Sequence, residues 1–147
     1  LRQDSVPVTV EHQNAFKLEG RTLILAGKPD IIARPTGGDY LVIDEKSGTP
    51  RPSDIWQVLL YMFALPRIGA YRNLQGELEY RGGEKVSIPR DRLNDQTTVR
   101  IVTTMQMIGS NVQPKRTPSA EECQWCDILA CPDRIVVETA EASTADF

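Results

Sequence analysis

The chain has 147 residues, a formal net charge of −3 at pH 7, 40% hydrophobic and 25% charged residues, which is the balance of an ordinary globular domain and excludes a disordered or collagenous chain. No apolar run approaches the ~20 residues of a membrane-spanning helix, and the opening Leu1-Arg2-Gln3-Asp4 carries no signal-peptide core. Charge is uneven, with thirteen basic and ten acidic residues over 28–116 but one basic and seven acidic over 117–147; any nucleic-acid contact is therefore local, along residues such as Arg81, Lys85, Arg90, Arg92 and Arg100, rather than through bulk charge.

In chain order, Val6–Lys17 alternates loosely and predicts a strand, followed by a second at Arg21–Leu25. Pro29–Arg34 and Tyr40–Asp44 flank Pro35-Thr36-Gly37-Gly38-Asp39, a hairpin signal. Pro50 and Pro52 break the chain. Ser53 then caps a helix from Asp54 to Leu65, with Ile55, Leu59, Met62 and Phe63 on one face and Pro66 as the stop. Leu74–Tyr80 and Glu84–Pro89, joined by Arg81-Gly82-Gly83, predict another hairpin. Asp95 or Thr97 caps a second helix reaching Ile108, with Val99, Val102 and Met105 spaced for burial. Residues 111–120 read as a loop. The order predicts an α+β (mixed α/β) fold: one domain over residues 1–137, with a cysteine segment at 118–135 and a flexible acidic tail at 138–147.

The strand Val42-Ile43 runs into Asp44-Glu45-Lys46. Side chains alternate along a strand, so Asp44 and Lys46 share a face and Glu45 points away. With Gly37 at the centre of the hairpin, Asp30 falls opposite Asp44. Two like charges at that spacing are destabilising, unless a divalent cation bridges them; hard Mg²⁺ takes one or two carboxylates plus waters. Lys46 beside such a cation could orient or help deprotonate a water, or hold a scissile phosphate, as in metal-assisted phosphodiester hydrolysis. The plainer alternative is that Asp30 caps a turn while Asp44 and Lys46 form an exposed ion pair. Gln57 and Tyr61, at i and i+4 on the following helix, share a face; an amphipathic helix with one Tyr hydroxyl at its rim accounts for them equally well.

Taken in order, Gly27-x-x-Asp30, Asp44-Glu45-Lys46 and Gln57-x-x-x-Tyr61 resemble the PD-(D/E)XK nuclease superfamily, in particular its RecB-like branch, which includes the CRISPR-associated RecB-like exonucleases and related phage proteins. The resemblance covers roughly residues 10–135. It implies a restriction-endonuclease-like mixed sheet flanked by helices that cleaves DNA with Mg²⁺ or Mn²⁺. Asp30, Asp44 and the Glu45 backbone carbonyl would be the metal ligands, Lys46 the catalytic lysine, and Gln57 and Tyr61 residues that contact or orient the DNA strand. It implies DNA as partner, an exonuclease-like activity, and protein partners in a repair or recombination, phage or CRISPR-adaptation setting. The branch usually carries a metal-ligand His on an N-terminal helix. His12, the sole histidine, falls in the first expected strand, and the absent initiator Met supports the expectation that this helix is missing.

Cys123, Cys126 and Cys131 crowd into nine positions as C-x2-C-x4-C. Three thiols cannot all pair as disulfides, and their spacing predicts a soft-metal site in a reducing, cytoplasmic compartment. By resemblance to cluster-bearing RecB-like nucleases they would hold a [4Fe–4S] cluster with an upstream cysteine that this chain lacks. Alternatively Asp127, Asp133 or His12 completes a zinc site, or the thiols are vacant. A reading of another class keeps the fold as a non-catalytic nucleic-acid-binding or partner-docking module with a structural zinc or iron–sulfur staple.

Overall fold

The computed structural model describes residues 5–35, 38–69 and 71–136. They fall into two compact units, residues 1–111 and 112–147. In the first, strand β1 (Ser5–Val10) leads through a 3-10 turn (Glu11–Asn14) to β2 (Phe16–Glu19), β3 (Ile24–Gly27), β4 (Ile31–Pro35) and β5 (Tyr40–Lys46). Helix α1 (Asp54–Ala64), β6 (Leu74–Tyr80), β7 (Lys85–Ile88), a second 3-10 turn (Arg90–Arg92) and helix α2 (Asp95–Ile108) follow. The second unit contains one short helix, α3 (Ala120–Gln124).

Five strands form a mixed sheet in the order β1-β4-β5-β6-β7, and β2 and β3 form a separate antiparallel ribbon. Only β5 and β6 run parallel; the other neighbours in the large sheet are antiparallel. A parallel neighbour requires a crossover, and α1 supplies it. The four consecutive buried residues Leu41, Val42, Ile43 and Asp44 make β5 a central strand covered on both faces. Six of the 11 residues of α1 are buried, and with Ile32, Val42, Leu78, Tyr80 and Ile88 they form the core. The helix rides close over β6 because Gly76 leaves room: a Cβ there would collide with Val58 Cγ1.

The hairpin register is the one the sequence predicts. Ile31 faces Ile43, Ile32 faces Val42 and Ala33 faces Leu41; continuing that count places Asp30 level with Asp44. The tip residues 36 and 37 lie outside the described residues. The second hairpin also forms, β6 against β7, with Leu78 opposite Val86.

Several expectations need correction. Val6–Lys17 is not one strand: it breaks at a 3-10 turn that contains His12, which is exposed. The break is fixed by buried Asn14, which must satisfy its amide and does so on backbone carbonyls. The second strand starts at Ile24, after a bend at Arg21-Thr22. Ser53 makes no capping hydrogen bond; Asp54 instead accepts from the Arg51 N–H at 3.0 Å. The cap of α2 is Asn94, whose side chain accepts from Thr97 N. Its buried residue is Ile101, with Val102 and Met105 half-buried, whereas Val99 is 63% exposed. The helix therefore turns a face rotated from the predicted one toward the core. The expected tail at 138–147 lies outside the described residues.

Candidate active site

The site grows from the end of β5. Asp44 and Lys46 point to the α1 side of the sheet, and the Lys46 ammonium lies 2.7 Å from Asp44 Oδ2. Asp44 is 2% exposed, and that oxygen finds no other polar partner among the described residues. Burial pushes the Asp44 carboxyl above its ordinary 3.8, Lys46 opposes the shift, and the charges of Asp30 and Asp54 reinforce it. Asp30 accepts from the Glu45 backbone N–H at 2.8 Å through Oδ2. The turn-capping alternative for Asp30 is thus replaced by a cross-hairpin bond that ties it to the strand carrying Asp44. The Glu45 side chain is exposed on the other face of the sheet.

Helix α1 brings Gln57 and Tyr61 over this pair in an ordered chain of hydrogen bonds. Lys46 Nζ donates to Gln57 Oε1 (2.6 Å), Gln57 Nε2 donates to Tyr61 Oη (2.8 Å), and the Tyr61 hydroxyl donates to Lys28 O (3.4 Å). Each donor is thereby assigned, so the amide orientation of Gln57 is dictated by the lysine on one side and the phenol on the other. Burial raises the Tyr61 hydroxyl above 10.0, opposed by the Gln57 hydrogen bond and reinforced by Asp44 and Asp30; the phenol remains the donor this arrangement needs. Gly27 makes the approach feasible, because a Cβ there would sit 2.7 Å from the Phe16 ring and 3.0 Å from the Tyr61 ring. The glycine of Gly27-x-x-Asp30 is therefore a packing requirement. Phe16 meets Tyr61 edge-on, with centroids 6.1 Å apart.

Sequence reasoning missed two participants, Tyr80 and Asn14, and named Arg81 only as a residue of local nucleic-acid contact. Tyr80 neighbours Lys46 across the parallel ladder and donates 2.8 Å to Asp54 Oδ2; burial and that carboxylate push its hydroxyl up to about 12. Asn14 donates to the backbone of Pro29 and Asp30. Arg81 lines an open cleft of about 470 Å³ together with Glu45, Lys46, Ser47, Glu79 and Tyr80. This cleft lies at the carboxyl ends of the parallel strands, where α/β sheets commonly hold ligands.

Among the described residues no three His, Cys, Asp or Glu side chains converge as a metal set. What the hairpin offers is two carboxylates, Asp30 and Asp44. The buried Asp44 oxygen with only an ammonium beside it suits a hard cation that takes one or two carboxylates and waters. The cysteines of the second unit, by contrast, do not gather. Cys123 is buried and its sulfur accepts from Ile135 N at 3.4 Å, while Cys126 is exposed and Cys131 half-buried. Asp133 pairs with Arg116 at 3.0 Å, and Arg134 caps the carbonyls of Cys126 and Ile128. The expected iron–sulfur or zinc set is thus not among the groups that could hold a metal among the described residues.

A protein-family model of the PD-(D/E)XK nuclease superfamily matches residues 1–131. The chain belongs to this superfamily. Among solved structures, the crystal structure of SSO0001 is similar with a TM-score of 0.52 and 18% identity, covering 92% of this chain and 64% of that one. That likeness concerns the fold, and the chain spans less than two thirds of that structure's length. No curated protein matches the chain. No helix among the described residues is long and apolar enough to cross a membrane.

Proposed function

We propose that this PD-(D/E)XK chain hydrolyses phosphodiester bonds of DNA with Mg²⁺ or Mn²⁺, in the exonuclease-like manner of the RecB-like branch. One observation carries the reading: Asp30 and Asp44, tied across one hairpin, sit beside a lysine that is itself wired to Gln57 and Tyr61. Asp30, Asp44 and the Glu45 carbonyl would hold the cation. When bound, it would supply Lewis-acid polarisation of a phosphoryl oxygen and lower the pKa of a water nucleophile.

The chain's own residues do the rest. The Lys46 ammonium has three protons; one goes to Gln57 and one faces Asp44, which leaves the third for a phosphate oxygen or the attacking water. Gln57 and Tyr61 stop the lysine from swinging out, so its donor is in place before substrate arrives. The order Gly27-x-x-Asp30, Asp44-Glu45-Lys46, Gln57-x-x-x-Tyr61 supports placement in the RecB-like branch and, with it, a role in repair, phage or CRISPR-adaptation processing of DNA ends.

The test is cleavage of end-labelled single- and double-stranded DNA with Mg²⁺ or Mn²⁺ by the wild type, Asp44→Ala and Lys46→Ala. Metal-dependent cleavage that disappears in both variants is expected. Cleavage that survives both removes the proposed site.

A further inference from the structure

Asn14 is 3% exposed, and its amide nitrogen lies against three carbonyls: Pro29 O at 3.0 Å, Thr9 O at 3.2 Å and Asp30 O at 3.3 Å. Two protons serve three acceptors, so one bond is shared. The amide oxygen accepts from the Thr9 hydroxyl. Because that hydroxyl has a single proton, the Tyr71 hydroxyl 3.4 Å away is the donor to Thr9 Oγ1. The reverse amide orientation would turn an oxygen toward three carbonyls, so the orientation is fixed. Tyr71 is itself braced edge-on against Tyr40, with centroids 5.1 Å apart.

Asp30 is consequently held at both ends: its backbone carbonyl by Asn14 and its carboxylate Oδ2 by the Glu45 N–H at 2.8 Å. Oδ1 remains for a ligand. A buried amide is costly unless its bonds are all made, and a side chain needed only to fill space between strands would be apolar. This amide divides its donors between Thr9 O and the two residues that end the Gly27-x-x-Asp30 motif.

We propose that Asn14 is a positioning residue that fixes the Asp30 carboxylate for the divalent cation, an inference that rests on the metal-dependent reading of the site. Groups that orient metal ligands typically contribute 10–100-fold to metal affinity or activity.

The experiment titrates Mn²⁺ calorimetrically into the wild type, Asn14→Ala and Ile101→Ala, and measures thermal stability and the Mn²⁺ concentration for half-maximal DNA cleavage in parallel. Ile101 is buried in α2 and serves as the control for general destabilisation. Asn14→Ala is expected to weaken Mn²⁺ binding about tenfold and to raise the cleavage midpoint by the same factor, with much of the rate recovered at saturating Mn²⁺. Ile101→Ala is expected to lose stability with Mn²⁺ affinity unchanged. Should Asn14→Ala fail to fold, Thr9→Val keeps the amide but removes the proton that orients it, and a smaller loss of Mn²⁺ affinity, about fivefold or less, is expected. Unchanged affinity in the Asn14 variant, or in Thr9→Val where that variant stands in, overturns the proposal alone, as does equal weakening in Ile101→Ala. A wild type that binds no Mn²⁺ overturns the metal site and this proposal with it.

Discussion

The same sheet carries an acid–lysine cluster on each face, and the two are electrostatic opposites. On the α1 face, Asp44 meets Lys46; on the other, Glu79 and Glu77 meet Lys85, which pairs with Glu79 and lies 3.7 Å from Glu77. Burial pushes the Glu79 carboxyl up too, but hydrogen bonds with Lys85 and Glu77 and the charge of Lys85 outweigh it and hold Glu79 below 4.5. Asp44 remains raised despite its lysine, because burial outweighs the Lys46 hydrogen bond and charge, and the carboxylates of Asp30 and Asp54 add to it. In one cluster the lysine holds a carboxylate, Glu79, down. In the other, burial holds the Asp44 carboxyl up although Lys46 lies 2.7 Å from it, and this is the carboxylate to which the proposed reading assigns the cation.

Cleavage separates the clusters most sharply. Asp44→Asn should lower the DNA cleavage rate roughly 10²–10⁴-fold, the range for losing a central catalytic group, while Glu79→Gln leaves it unchanged; comparable losses in both would erase the distinction. Next in size is Tyr61→Phe, which removes the acceptor for Gln57 and frees the lysine's anchor. Losing one buried hydrogen bond costs about 1 kcal/mol, so cleavage should fall about five- to tenfold in single-turnover measurements.

Stability should then move in opposite directions. Metal-free Asp44→Asn should melt a few degrees higher than the wild type at neutral pH, because it deletes a charge that the fold disfavours. Glu79→Gln should lose about 0.5 kcal/mol, as expected for a partly exposed ion pair. The pH dependence follows with opposite sign. A raised carboxyl binds its proton more tightly in the folded chain, so the Asp44 penalty is present above its folded pKa and is relieved as the pH falls toward 3.8. A lowered one, Glu79, stabilises above 4.5 and loses that contribution as the pH falls through its folded pKa. Urea unfolding of the two variants across acidic pH reads both slopes. The smallest effect belongs to Asp54→Asn, which removes a charge that raises Asp44. The acidic limb of the cleavage profile should shift to lower pH.

What the sequence disclosed and what it withheld divide along a physical line. The β4–β5 register was legible because Pro35, Gly37 and Gly38 mark a turn and the flanking apolar runs fix the count around it. Gln57 and Tyr61 were legible because a helical face follows from spacing alone. Asn14 was not, since the carbonyls it satisfies are 15 and 16 residues away. The buried face of α2 was also misjudged: Val99 and Ile101 are both apolar, and only tertiary packing chooses between them. The cysteine spacing permitted a metal site, but proximity in sequence does not by itself bring thiolates together, and no metal-holding group is found among the described residues.

Gly27 has a consequence for how such a chain tolerates change. A single added methyl at this position, which touches no reacting group, would wedge Tyr61 aside, slacken Gln57 and let the ammonium drift from its post. Under the proposed reading one added carbon on β3, pressing on Phe16 and Tyr61, should weaken cleavage while every acidic and basic residue remained in the sequence.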